Sequence, residues 1–345
     1  VIRREELLSL GGTDNDIKTA LKTGLLEPLG WGVYAFADDT RTKERKYRLM
    51  VDAATVTDGA VFSYESAAAM HDLPMLKPPL DRVSMTSLTT DTGYVRPRRH
   101  LHPGPLADSE VTTHGARPVT TLERTVFDVA RTSRMRLPGA LAVVDAGLRM
   151  GADVDILTEM SHRRVRGVAL FRKALEFADP LSENPGESWG RAQMIAAGLP
   201  VPRLQHTYRD SQGFVGRTDY DWRDLLVGEF DGLVKYLNHR REGESIEQAV
   251  IREKQREDRL RALGIMVIRW VWADLENERV VPKLFVSGST PRSPTPVSRG
   301  SSTHTGRRRR TFPVTPAPRG RTPDPSTSPA SATTPGPGRG TWDRR

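Results

Sequence analysis

Cysteine is absent from all 345 residues. Its absence excludes disulfides, thiolate zinc centres and cysteine nucleophiles, and it suits a reducing compartment. The chain also lacks any run of 18 consecutive apolar residues, so no membrane-spanning helix is expected. The opening Val1-Ile2-Arg3-Arg4-Glu5 has no secretory-signal pattern. Together these absences lead us to expect a soluble cytoplasmic protein, of a length that suits two domains.

A net charge on the body is lacking as well, although the chain as a whole is basic. The formal charge is +9, but residues 285–345 hold 11 Arg, no Lys and 2 Asp, which accounts for all of it. Residues 1–284 contain 41 basic and 41 acidic side chains. Whole-chain charge is therefore no argument that the body binds nucleic acid, and only local basic surfaces can be. The same tail carries 11 of the 25 prolines, with abundant Ser, Thr and Gly. Such a composition cannot bury enough apolar area to offset chain entropy, so residues 285–345 read as a disordered basic tail. Its Arg307-Arg308-Arg309-Arg310 run suits nonspecific phosphate neutralisation; a solubilising extension is the plainer alternative.

What is present begins with helix-turn-helix proportions over residues 1–40. Arg3 to Leu10 suits a short helix, Gly11-Gly12 breaks it, and Thr13 or Asp14 caps a second helix from Asn15 to Thr23. Ile17 and Leu21 share one face of that helix, which leaves Asn15, Lys18, Thr19 and Lys22 for solvent or DNA. Leu25 to Phe36, with Gly-Trp-Gly at its bend, reads as a hairpin wing.

Residues 41–180 read as mostly helical, with helices over Glu44–Thr55, Tyr64–His71, Arg124–Arg131 and Leu137–Met150. Ala60–Phe62 and Arg82–Leu88 are strand-like, and Arg96-Pro97-Arg98-Arg99-His100 is a basic stretch suited to an exposed loop or to DNA. A boundary falls near Asp179–Gly186. Residues 181–280 then alternate as helix (Glu187–Ala197), strands (Arg203–Tyr208, Val215–Trp222, Leu225–Phe230), helix (Ser245–Leu263) and strand (Ile265–Trp270), an α/β core.

Chemistry concentrates on two of those strands. A short turn makes them neighbours, so Asp219 and Glu229 converge if both face the same side. Two close carboxylates repel unless a cation or proton neutralises them. Mg²⁺ or Mn²⁺ would do so, keeping positions for water and phosphate as phosphodiester hydrolysis requires. Asp231 adds an acid at i+2, and Lys235 follows as a group able to stabilise charge on phosphate. Glu187 and Arg191 share a helix face, from which they would reach metal and phosphate respectively; a surface ion pair is the bland alternative. Gln205 is a candidate for holding water. The long helix mixes Arg252, Lys254, Arg256, Arg259 and Arg261 with Glu253, Glu257 and Asp258, which reads as a salt-bridged solvated face as readily as a phosphate track.

In their order along the chain, these segments resemble known families. Ile17 to Phe36 is similar to the DNA-binding winged helix of the AbiEi antitoxins of type IV toxin–antitoxin systems. Phe62 to His71 and Thr120 to Arg131 are similar to the middle region of the same proteins. Residues 187–275 resemble the endonuclease domain related to very-short-patch-repair nucleases, in the PD-(D/E)XK superfamily. The matching segments are Gly186-Glu187-Ser188, Arg217-Thr218-Asp219-Tyr220 and Val227-Gly228-Glu229-Phe230-Asp231-Gly232, then Arg256 to Gly264 leading to Trp270.

The resemblance implies an α/β (α+β) restriction-endonuclease-like domain preceded by a mainly helical, winged-helix-containing region. It further implies Asp219 and Glu229 as metal ligands and Glu187 as the acid of the first helix. Asp231 stands where the superfamily has its lysine, and Lys235 lies four positions later. The expected function is Mg²⁺-dependent DNA cleavage, with Glu187, Asp219, Glu229, Asp231 and Lys235 as the catalytic set. The alternative is a non-catalytic DNA-binding regulator acting with a cognate toxin or its operator.

Overall fold

A reciprocal cap and a glycine-tipped hairpin shape the start of the chain. The computed structural model describes residues 1–56, 59–89, 92–232 and 244–286. Phe285 and Val286, the first two residues of the expected tail, end a helix; the rest of that tail with its arginine run lies outside the described residues, as does Lys235. After a two-residue strand β1 (Ile2–Arg3) come α1 (Arg4–Ser9) and α2 (Asp14–Lys22). Thr13 caps α2 by accepting the Asp16 amide, while Asp16 accepts the Thr13 amide at 2.8 Å, which satisfies two otherwise orphaned donors. Strands β2 (Leu26–Gly30) and β3 (Val33–Phe36) form the hairpin, and β1 adds to β3 to complete a three-stranded sheet. Leu29, Val33 and Ala35 pack beneath it with Ala53, from the next helix, α3 (Lys43–Ala53).

The middle of the chain contains much more sheet than a mostly helical reading implies. Strands β4 (Ala60–Phe62), β5 (Val83–Ser87), β6 (Tyr94–Arg96), β7 (Arg99–His102), β8 (Val111–His114) and β9 (Arg117–Thr120) form one sheet in the order β6-β7-β5-β4-β9-β8. Two of its strands, β4 and β5, fall where Ala60–Phe62 and Arg82–Leu88 read as strand-like; β5 is buried throughout, and its Ser84 amide and Thr86 hydroxyl find internal partners in Ser66 and Ser63. The outer strands are short and rich in Arg, His and Thr, so they read as loop. The basic stretch Arg96–His100 is accordingly spread over β6, β7 and their turn, with Arg98 and Arg99 donating to the carbonyls of Pro28 and Thr55. Helix α4 (Tyr64–Met70) follows β4.

Four helices then gather around an apolar cluster: α5 (Leu122–Thr132), α6 (Leu137–Arg149), α7 (Val154–Ser161) and α8 (Val168–Phe177). Its members include Phe127, Leu141, Val144, Leu157 and Phe171. Helix α9 (Pro185–Ala196) continues this packing, because Ala192 belongs to the same cluster. Its other side supports a four-stranded sheet of β10 (Arg203–Asp210), β11 (Gly213–Trp222), β12 (Leu226–Phe230) and β13 (Met266–Trp270). The strands lie in sequence order. The first three are antiparallel, whereas β12 and β13 run parallel. Parallel neighbours need a crossover; between them lies α10 (Ile246–Ala262), capped by Ser245. The short helices α11 (Trp272–Glu276) and α12 (Val280–Val286) end the described chain. The whole is a mixed α/β architecture, and among the described residues no helix is long and apolar enough to cross a membrane.

Between α6 and α9 the apolar packing is interrupted by a buried ion pair. Arg191 donates to Asp145 at 3.0 Å, and the Asp145 carboxylate also accepts the Ser188 hydroxyl at 2.7 Å and the Asp179 amide at 2.8 Å. Burial, the largest influence, pushes the Asp145 carboxyl up to about 6, against the lowering effects of Arg191, the Asp179 amide and the Ser188 hydroxyl. A carboxyl raised by folding stabilises the fold below its unfolded value of about 3.9, and that contribution is lost as pH rises through the folded value. Between roughly pH 4.5 and 7.5 the unaltered protein should therefore lose on the order of 2 to 3 kcal/mol that Asp145→Asn does not lose. The gap between the urea midpoints of the two proteins should therefore change across that range, with only the unaltered protein falling as pH rises; parallel curves would contradict the assignment.

Candidate active site

The site begins with the way α9 starts. Asn184 accepts the amides of Gly186 and Glu187, each at 3.0 Å, and its own amide donates to Glu187 at 2.6 Å. The Glu183 amide donates to the other Glu187 oxygen at 2.7 Å. Glu187 is thus fixed, 3% exposed, in the first turn of a helix, where the helix dipole favours a negative charge. Gln205 adds its side-chain amide to Glu187 at 3.3 Å. It does so from a left-handed backbone conformation, φ 52°, an uncommon state for a residue with a Cβ and one that recurs at functional positions.

The strands bring the remaining acids to the same place. Tyr220 pairs with Gly228; continuing this antiparallel register by one residue sets Asp219 opposite Glu229. There Asp219 accepts the Phe230 amide through its side chain at 2.8 Å. The Asp231 amide donates to the Trp270 carbonyl at 2.8 Å, which prolongs the β12–β13 pairing past Phe230. The Oδ1 of Asp231 is buried and has no hydrogen-bond partner among the described residues. A buried acceptor in that state costs about 1 to 3 kcal/mol unless a cation, proton or water completes it.

Glu229 is differently placed from a simple metal ligand. Arg256 donates to its Oε1 at 2.6 Å and Arg269 to its Oε2 at 2.9 Å. Burial would raise this carboxyl, but the two guanidiniums outweigh it and hold Glu229 below its usual range. Glu253 bridges the same two arginines, and Glu257 pairs with Arg269 at 2.7 Å. The face of α10 that carries Arg256 is therefore turned toward the sheet, while Arg261, paired with Glu257, remains exposed.

Glu187, Gln205, Asp219, Glu229 and Asp231 all line one cleft of about 1210 Å³. Its lining includes seven carboxylates (Glu183, Glu187, Asp219, Glu229, Asp231, Glu253, Asp258) and five guanidiniums (Arg217, Arg252, Arg256, Arg259, Arg269). Among the described residues the balance is acidic, so a polyanion would be repelled there unless a cation joined it. Among the described residues no three His, Asp or Glu side chains gather tightly enough to hold a metal ion. Mg²⁺ needs fewer, since it keeps several waters and takes only one or two carboxylates from a protein. Asp219, which accepts the Phe230 amide, and Asp231, which follows Phe230, fit that smaller demand.

The five residues expected to bind phosphate or DNA fall elsewhere. Arg191 is 2% exposed and engaged with Asp145 and the Phe177 carbonyl between α9 and α6, so it does not reach the cleft. The i,i+4 spacing put it on the Glu187 face, but α9 is buried on both sides and Arg191 turns to the helical one. Asn15, Lys18, Thr19 and Lys22 are all exposed along α2, far from these contacts in sequence, with Thr19 bonded to the Asn15 carbonyl at 2.8 Å. Trp31, fully exposed at the hairpin tip between two glycines, joins them as a surface residue that sequence reading did not single out.

No protein-family profile matches the chain. It is similar to two uncharacterized proteins of Mycobacterium tuberculosis, one from strain CDC 1551 / Oshkosh and one from strain ATCC 25618 / H37Rv. Each is 33% identical over 158 residues, which span 45% of this chain and 55% of the relative. The matched stretch thus spans about half the length of these curated relatives.

Packing at Gly186 controls the site directly. A Cβ there would meet Phe230 Cε1 at 2.2 Å, and Phe230 lies between Glu229 and Asp231. Gly186→Ala should destabilise the protein by about 1 to 3 kcal/mol through overpacking, read as a lower urea midpoint with unchanged slope. An unchanged midpoint would mean that α9 is not seated on Phe230.

Proposed function

We propose that the cleft is a Mg²⁺- or Mn²⁺-dependent phosphodiester-cleaving site of the restriction-endonuclease type, and that the first 40 residues hold DNA as a winged helix. The observation that carries this reading is the meeting of Glu187, Asp219, Glu229 and Asp231 in one cleft, with Asp231 Oδ1 buried and lacking a partner among the described residues. Support also comes from the order of elements, a helix followed by an antiparallel meander and a parallel final strand. In this reading Asp219 and Asp231 hold the cation. The cation supplies charge neutralisation and a more acidic bound water. Asp219 keeps the Phe230 amide, and therefore Asp231, in register. Glu187, held by Gln205, lines the same cleft and would orient water there.

One observation favours a second reading, a DNA-binding regulator of antitoxin type without hydrolysis. Both oxygens of Glu229 are taken by arginines, which suits a scaffold as well as a resting enzyme. Its partner would be operator DNA or a cognate toxin.

Plasmid cleavage and calorimetric Mn²⁺ binding on the full chain separate the two. For the enzyme, Asp219→Ala and Asp231→Asn should each lower cleavage by on the order of 100-fold or more, the scale expected for losing metal-borne charge stabilisation. DNA affinity should persist. A folded protein that neither binds Mn²⁺ nor cleaves leaves the regulator.

The exposed face of α2 gives an independent expectation. Replacing Lys18 and Lys22 by Ala should reduce the slope of log affinity against log salt by about 1 per lysine, uniformly across DNA sequences. A slope unchanged in both variants would remove α2 from the DNA surface.

A further inference from the structure

Arg256 has one donor group to spare. Its Nε and Nη2 are used by Glu253 and Glu229, but Nη1 makes no hydrogen bond among the described residues. Nη1 lies over Gly216 of β11, where an added Cβ would stand 3.0 Å from both Nη1 and Cδ. The absence of a side chain at Gly216 thus leaves the room that this edge of the guanidinium occupies, and both residues line the cleft.

Arg269 stands behind, with its Nε on Glu229 and its remaining nitrogens on Glu253 and Glu257. The guanidinium plane of Arg256 is therefore braced on two carboxylates while one edge faces the space beside the acids. A guanidinium edge is the group best suited to phosphate oxygens, because its donors are planar, permanently charged and weakly hydrated.

We propose that Arg256 is the phosphate-binding residue of this cleft, taking a nonbridging oxygen of a nucleic-acid backbone at Nη1 over Gly216. Arg269 is its positioning partner, holding Glu229 when phosphate draws Arg256 away. The inference rests on the phosphodiester reading of the cleft and names the residue that the buried Arg191 cannot be. Glu229 and the incoming phosphate compete for one guanidinium. Phosphate at Nη1 therefore shares the charge that Nη2 offers to Glu229 and weakens that pair, while Arg269 keeps Glu229 in place.

The test uses the full chain in chelator, with inorganic pyrophosphate as the probe, so that neither metal nor cleavage enters. Arg256→Gln should weaken pyrophosphate binding about tenfold or more, the scale of a lost charge-assisted bond. Arg256→Lys, which keeps the charge but not the fork, should recover only part of it. Gly216→Ala changes no charge and fills the space beside Nη1, so it should also weaken binding. Glu229→Gln, by releasing a competitor, should tighten it. Pyrophosphate affinity that is unchanged in folded Arg256→Gln and Gly216→Ala overturns the proposal, even where Asp219→Ala abolishes cleavage. The expected losses, in a protein that never cleaves DNA, uphold the phosphate site and overturn the nuclease reading alone.

Discussion

The arrangement depends on one buried guanidinium. Arg191 lies between α6 and α9 with Asp145 as its counter-ion, and neither side chain is more than 2% exposed. Removing one member of such a pair leaves an uncompensated buried charge and costs about 3 to 5 kcal/mol, far more than the pair itself contributes. The consequence is positional. With Ser188 also bonded to Asp145, one side of α9 is fixed against α6. Its opposite side must then meet the sheet, where Gly186 admits Phe230 and Gly190 admits Tyr220 and Trp270. Glu187 lies between these two commitments and has no freedom to leave the cleft.

Hydrophobic period and turn chemistry made most of the C-terminal region legible. Its helices and strands fall within two residues of where capping groups and apolar runs place them, because β12 and β13 are short, mostly apolar strands and Asn184 and Ser245 mark helix starts. The convergence of Asp219 with Glu229 was legible too, since a short turn leaves antiparallel neighbours little choice of register.

What the sequence hid was the destination of charged side chains. Arg191 and Arg256 both stand on helices near acids, and spacing alone treats them alike. Tertiary packing sends the first into an interhelical core and the second onto the cleft wall. The same limitation concealed the extent of the middle sheet. In its buried β5 the Ser84 and Thr86 hydroxyls donate to Glu65 and Ser63, residues about 20 positions away, which no local pattern records.

Charge in the cleft then sets the order of events that any ligand must follow. Among the described residues of its lining carboxylates outnumber guanidiniums, and Glu229 already has two arginines. On the proposed reading, a phosphate approaching alone would meet net negative charge there, and a cation approaching alone would find Glu229 occupied. Each removes the obstacle to the other: the cation offsets the acids around Asp219 and Asp231, and the phosphate competes with Glu229 for Arg256. If the cleft takes both as proposed, their binding would be positively coupled, and by linkage each would raise the affinity of the other by the same factor. A site built this way would resist stray phosphate and stray metal, and would respond when both come together on a nucleic-acid backbone.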